Sequence, residues 1–191
     1  MYRIKFSDLA KNESLRGKIL KKIKSGSVFI CPTDTIYGLG CNALKSGSVS
    51  RIRKIKKTGH PFSVISPGTS WINANLVVRF PEYLEKLPGP YTFIFEKKRP
   101  GFLSHASKSN SLGVRIPDHP FTLLIRESGL PFVSTSVNYS GRPSIKKPDD
   151  TPKGILDLVD YIIDAGILDN PPSRIFDLTG IEPREIKRKR P

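Results

Sequence analysis

Two clusters of small hydroxyl side chains stand where apolar runs give way to polar ones, and such clusters can hydrogen-bond a compact polar ligand. The first is Pro32-Thr33-Asp34-Thr35, directly after Val28-Phe29-Ile30-Cys31. Its hydroxyls either serve a ligand or are consumed by their own backbone in a strand-end turn. The second runs Ser134-Thr135-Ser136-Val137-Asn138-Tyr139-Ser140-Gly141. Burying so many polar groups at one strand end costs free energy unless a ligand or a network satisfies them, which points to a hydroxyl-lined pocket. An anionic ligand also calls for guanidinium or ammonium donors, and Arg115 and Lys56 are the candidates. Arg115 interrupts the apolar run Leu112-Gly113-Val114-Arg115-Ile116. It either reaches solvent across an open sheet face or projects into a cleft that holds an anion. Lys56 ends a basic helical stretch, where charge against the carbonyl end of the helix is reason enough for it.

The usual rival constellations are missing from the sequence: there is no GxxxxGK[ST] phosphate loop, no GxGxxG after a strand, no HExxH and no GxSxG. His60, His105 and His119 are far apart, without metal-ligand spacing, so no protein-bound metal is expected. An enzyme built from these parts would work by positioning and charge stabilisation, as in transfer at a phosphorus centre.

The elements that must carry these residues follow from periodicity. Leu15, Ile19, Leu20 and Ile23 make a helical stripe over residues 13–24, with Gly26 as its stop. Val28 to Cys31 suits a short buried strand that delivers the hydroxyl segment to a polar, glycine-bearing turn. Val49, Ile52 and Ile55 predict a helix over 48–57 with Ser48 as N-cap, ended by Gly59-His60-Pro61. Residues 62–66 predict a strand, then a loop and a polar helix around Pro81 to Lys86. Strands follow at Tyr91 to Lys97 and around Ser111 to Pro117, a short helix at 119–129, a strand into the second hydroxyl cluster, an exposed loop at 142–153, a helix or helix–strand pair at 154–166, and a strand at 173–180. This alternation gives a mixed sheet flanked by helices.

The chain has 191 residues, enough for one domain with its own core and no staples. Cys31 and Cys41 match neither a zinc pair nor a close redox pair and read as ordinary thiols. No apolar run approaches a membrane span and the first twenty residues lack a secretory signal, so no membrane contact and a cytoplasmic location are expected. The formal net charge of +15 points to an anionic partner. Basic residues thicken at Lys18–Lys24, Arg51–Lys57 and Arg184–Arg190, either as solvated faces or as polyanion-attracting patches.

Five segments, in order, resemble the YrdC-like family, which includes threonylcarbamoyl-AMP synthases and YciO proteins. They are CPTDTIYGLGCNA, LPGPYTFIF, LGVRIPDHP, VSTSVNYSGRPS and PSRIFDLTG, and the likeness spans about residues 13–188. The resemblance implies an α/β fold: one YrdC-like domain over 1–191, with a basic tail at 184–191 and a twisted mixed sheet flanked by helices around a large basic concave cavity. It also implies a nucleotidyltransferase reaction of L-threonine, bicarbonate and ATP, Mg2+ accompanying the ATP, for threonylcarbamoyladenosine modification of tRNA. Carried over by motif position, Thr33, Arg115, Ser134 and Ser173 would contact threonine. Lys56, Ser111, Ser136, Asn138, Ser144 and Arg188 would face ATP, with Lys56 and Arg115 as the catalytic cations. tRNA threonylcarbamoyl-transfer proteins, and tRNA or double-stranded RNA, would be macromolecular partners.

One segment departs from the pattern. The synthases carry Lys-x-Arg-Pro, whereas this chain reads Lys56-Lys57-Thr58-Gly59-His60-Pro61-Phe62, a shortened form similar to YciO. Lys57 or an arginine elsewhere would have to replace the lost guanidinium, whose charge-assisted hydrogen bonds are worth about 1.5–3 kcal/mol each. The departure leaves open an RNA- or nucleotide-binding protein without synthase activity, and beyond that a nucleotide-binding protein related in fold alone.

Overall fold

Two elements precede the first that periodicity predicts: strand β1 (Tyr2–Lys5) and helix α1 (Phe6–Lys11). The computed structural model describes residues 1–187. Helix α2 (Glu13–Ser25) forms as expected. The Asn12 side chain accepts the Leu15 amide at 2.9 Å, and Gly26 ends the helix in the left-handed conformation at φ 94°. Strands β2 (Phe29–Cys31) and β3 (Gly38–Asn42) flank the first hydroxyl segment. The glycine-bearing stretch expected to be a turn is thus itself a strand for five residues. Gly40 is small because the sheet is crowded there: a Cβ would lie 2.2 Å from the Phe132 ring and 2.3 Å from the Val133 carbonyl oxygen.

Helix α3 (Ser46–Lys56) starts two residues earlier than its stripe suggests. Ser48 is not its cap but lies in its first turn, donating to the Gly26 carbonyl at 2.6 Å. Strand β4 (Ser63–Ile65) follows, then helix α4 (Thr69–Asn75) and strand β5 (Leu76–Val77), where a loop was expected. A 3₁₀ turn at Pro81–Lys86 leads to β6 (Tyr91–Lys97), β7 (Ser111–Arg115), α5 (Phe121–Ser128) and β8 (Phe132–Ser136). The loop at 142–153 is exposed only in part: Ile145, Pro148 and Thr151 are buried, and Pro148–Asp150 make a 3₁₀ turn. A helix–strand pair then forms as α6 (Lys153–Leu156) and β9 (Tyr161–Asp164), before β10 (Arg174–Asp177) and β11 (Arg184–Ile186).

The strands make one twisted mixed sheet in the order β1-β9-β2-β3-β8-β4-β7-β6-β10-β11, with β5 alongside β6. Helices α3 and α4 cover one face, where Val49, Ile52, Ile55 and Ile72 join Ile30, Leu39, Val64, Phe93, Val114 and Val133 in the larger core. Helices α2 and α5 cover part of the other, burying Ile19, Ile23, Phe121 and Ile125 with Phe29, Cys31, Ile65 and Phe132. Each such side chain contributes about 1.5–3 kcal/mol by leaving water.

Alternation along the strands decides what this second face presents where the helices end. On β8 it shows Phe132, then Ser134 and Ser136. On β4 it shows Ile65, then Ser63. On β7, Arg115 shares the face with Gly113 and Ser111. Register aligns Phe132 with Ile65 and Ile65 with Arg115, and sets Ser134 against Ser63 in the next row.

Candidate active site

Beyond the edge of α2 and α5 this face opens into a cavity of about 210 Å³, whose lining includes Thr33, Thr35, Ser134, Ser136, Ser173 and Arg115. Both hydroxyl clusters and the strand arginine therefore meet in one hollow. The geometry divides the threonines of the first cluster. Thr33 Oγ1 donates to the Ile36 carbonyl at 2.7 Å and accepts the Thr35 and Ile36 amides at 3.2 and 3.3 Å, so it organises its own turn while lining the cavity. Thr35 Oγ1 shares a 3.0 Å hydrogen bond with Thr33 Oγ1 and, unlike it, also accepts Arg115 Nη2 at 3.1 Å.

Arg115 lines the cavity, and its anion comes from within the chain. Nη2 donates to Asp34 Oδ1 at 2.6 Å, and the side chains are only 8% and 9% exposed. Asp34 Oδ2 accepts the Asp118 amide at 3.1 Å, and its carbonyl accepts Asn170 Nδ2 at 2.9 Å. Asp34 thus ties the first hydroxyl segment to the loop after β7 and to the segment before β10. It was missed as a site residue because its partner lies 81 positions away.

Lys56 reaches from the end of α3 to the end of β8. Its Nζ donates to the Ser136 carbonyl at 2.9 Å, to Ser136 Oγ at 3.3 Å and, closer still, to Asn138 Oδ1. Ser136 Oγ also donates to Asn138 Oδ1 at 2.8 Å. No carboxylate is among these partners. Burial therefore acts on the ammonium without a counter-charge and pushes its pKa down to about 8. Ser173 shares a 2.8 Å hydrogen bond with Thr92 across the β6–β10 pair, on the far wall of the cavity.

Ile36 passes from the cavity into an adjoining cleft that includes Ser144 and Lys146, and Ser144 passes from there into another with Asn138 and Arg142. Arg142 and Lys146 add cations that the motif reading did not select; their place in a basic, proline-rich loop carried no signal of a site. Ser111 stands apart. It lies four residues before Arg115, on the same sheet face but in a hydroxyl group with Ser107 and Ser109, and does not line the cavity. Arg188 lies outside the described residues. Neither Lys57 nor Arg53 fills the place of the missing loop arginine in the cavity lining: Lys57 caps α3 in the left-handed conformation at φ 47°, and Arg53 turns onto backbone carbonyls. Cys31 and Cys41 are buried free thiols, each pushed up to about 12 by burial, which removes thiolate chemistry at neutral pH.

A short neutral-to-anionic ligand would find here a hydroxyl wall and a guanidinium already oriented by a carboxylate, with the Lys56 ammonium held against Ser136 outside the lining. Among the described residues, no helix is long and apolar enough to cross a membrane. Residues 21–189 match the family Sua5_yciO_yrdC, described as "Telomere recombination". A putative threonylcarbamoyl-AMP synthase of Methanocaldococcus jannaschii is 38% identical over 165 residues, covering 81% of this chain and 77% of that protein. The crystal structure of P. abyssi Sua5 complexed with L-threonine superposes with a TM-score of 0.80 at 26% identity, over 96% of this chain but only 56% of that one. The crystal structure of E. coli YciO superposes with a TM-score of 0.81 at 26% identity, over 97% of this chain and 93% of that one. With its matched segment running through nearly every element of the sheet, the chain belongs to the Sua5/YciO/YrdC family.

Proposed function

We propose that this protein is a threonylcarbamoyl-AMP synthase, a nucleotidyltransferase that converts L-threonine, bicarbonate and ATP into threonylcarbamoyl-adenylate, pyrophosphate and water. Supporting this reading is the meeting, in one cavity, of Thr33, Ser134, Ser136 and Ser173 with Arg115, while Lys56, outside the lining, hydrogen-bonds Ser136. The threonine-bound relative and the synthase named above favour the same chemistry. Threonine sits against Thr33, Ser134 and Ser173, its carboxylate beside the Arg115–Asp34 pair. Its amine captures bicarbonate as a carbamate with loss of water. A carbamate oxygen then attacks the α-phosphorus of ATP, and pyrophosphate carries away the electrons of the broken P–O bond. Lys56, held by Ser136 and Asn138, offsets charge gathering on the phosphoryl oxygens, and no covalent enzyme intermediate forms.

The nucleotide extends from the cavity past Ile36 toward Asn138 and Ser144, with Arg142 and Lys146 as further phosphate partners. Mg2+ arrives bound to ATP. Residues 1–191 act as one domain in the cytoplasm, and the adenylate passes to the proteins that transfer threonylcarbamoyl to tRNA. The test is pyrophosphate release by purified protein. It should require ATP, L-threonine and bicarbonate together; release that ignores threonine, or none at all with the transfer proteins added, overturns the proposal.

A further inference from the structure

We propose that Arg53 is a positioning residue: its guanidinium clasps the 58–62 loop to the 101–107 segment and so fixes the cavity wall formed by Pro61 and Phe62. The side chain leaves α3 and spends its donors on backbone carbonyls alone. Nη1 donates to His60 O at 2.9 Å and to Thr58 O at 3.5 Å. Nε and Nη2 donate to His105 O at 3.1 and 2.8 Å, and Nη2 also to Ala106 O at 2.8 Å. Arg53 Cζ lies over the Phe62 ring, 4.5 Å from its centre. The Phe62 amide completes the clasp by donating to Ala106 O at 2.9 Å.

Only a planar fork with five N–H donors spans four carbonyls from two segments while lying over a ring; an ammonium satisfies three acceptors around a single point. The Arg53 partners include no carboxylate, and burial lowers its proton affinity, so the contact holds shape rather than neutralising charge. Phe62 is 3% exposed and, with Pro61, lines the cavity. This loop is the shortened one in which Thr58 stands where the family's second cation is expected. In place of a loop arginine reaching toward the ligand, the helix arginine pins the loop from behind.

The effect on turnover rests on the synthase reading; the effect on loop order does not. Both are measured in Arg53→Lys and Arg53→Met. Hydrogen–deuterium exchange should show faster exchange at Phe62 and through 103–107 in both variants, with the Ile52 and Ile55 amides of α3 unchanged. In pyrophosphate release, KM for ATP and threonine should rise about tenfold while kcat falls less, the split expected when a wall that orients substrate is loosened. Lysine keeps the charge and the aliphatic stem, so Arg53→Lys loosening the loop identifies the fork as the cause. Wild-type protection at Phe62 in both variants overturns the clasp, and unchanged KM in a variant with a loosened loop overturns its role in positioning. If the wild-type protein releases no pyrophosphate, the synthase reading fails and the exchange measurement still decides the clasp.

Discussion

One face of the sheet has two fates, and the boundary between them falls within single strands. On β8, Phe132 sits under α5, with its ring centre 6.1 Å from Phe29 and 6.2 Å from Phe121. Two and four residues on, Ser134 and Ser136 face the cavity. On β4, Ile65 and Ser63 repeat the division, and Arg115 on β7 lies in the same row as Ile65. The pleat and the register are continuous; only the cover changes. Where a helix supplies hydrocarbon, the strand supplies hydrocarbon, and where the helix ends the strand turns to hydroxyls and a guanidinium. Stability and ligand recognition should therefore separate by position along a strand.

The sharpest test is a pair of truncations on β8. Phe132→Ala empties a fully buried aromatic site and should cost about 3–5 kcal/mol in urea unfolding. Ser134→Ala should stay within about 1 kcal/mol of wild type, because one modest hydrogen-bonding group is lost from a cavity wall. Threonine-dependent pyrophosphate release should show the reverse order for KM, measured on the folded protein at low temperature. Equal losses of stability at the two positions would erase the proposed boundary.

This boundary is legible in the sequence because its signals are local. Pro32 to Thr35, Ser134 to Asn138 and Arg115 each break an apolar run, and such a break is visible without knowing the neighbours. What is not legible depends on neighbours. The Gly38–Asn42 segment reads as a turn from its two glycines, yet it is a strand paired on both sides with β2 and β8, and Gly40 stands in it because the Phe132 ring occupies the space a Cβ would need. Thr69–Val77 holds a helix and a strand too short for periodicity to declare itself. Thr33 and Thr35 look alike in sequence, but one closes a turn and the other meets Arg115. Asp34 and Arg53 act through partners fixed only by the fold, and so does the separation of Ser111 from the cavity.

Arg115 tests the boundary from the polar side, since it lies in the apolar row but serves the cavity. Replacing it with Met should suit Phe132 and Ile65 sterically, yet it leaves the Asp34 carboxylate buried without its guanidinium, at a cost of about 3 kcal/mol. Adding Asp34→Asn to that variant should recover part of the loss in urea unfolding, the signature of an unpaired charge rather than a packing defect. Threonine affinity should remain poor in both variants, by more than about tenfold, because a charge-assisted contact is gone. Full recovery of affinity in the double variant would mean that Asp34, not the ligand, is the guanidinium's only business.

The smallest effect is the most diagnostic, because folding and binding should respond to one proton with opposite signs. Burial holds Lys56 at about 8 in the folded protein, against its ordinary value of 10.5. Below pH 8 it is protonated in both states. Between about pH 8 and 10.5 the folded state has released the proton while the unfolded chain keeps it, so Lys56 adds stability as pH rises through that window. Over the same interval the ammonium that should attract phosphate disappears, and ATP affinity should fall. Thermal melts and ATP titrations from pH 7 to about 10, each subtracted from the same series for Lys56→Gln, isolate this group from every other lysine of the chain. A Gln variant that keeps the wild-type pH dependence of ATP binding would remove Lys56 from the nucleotide site, and would leave its hold on Ser136 and Asn138 as a purely structural clamp on the end of β8.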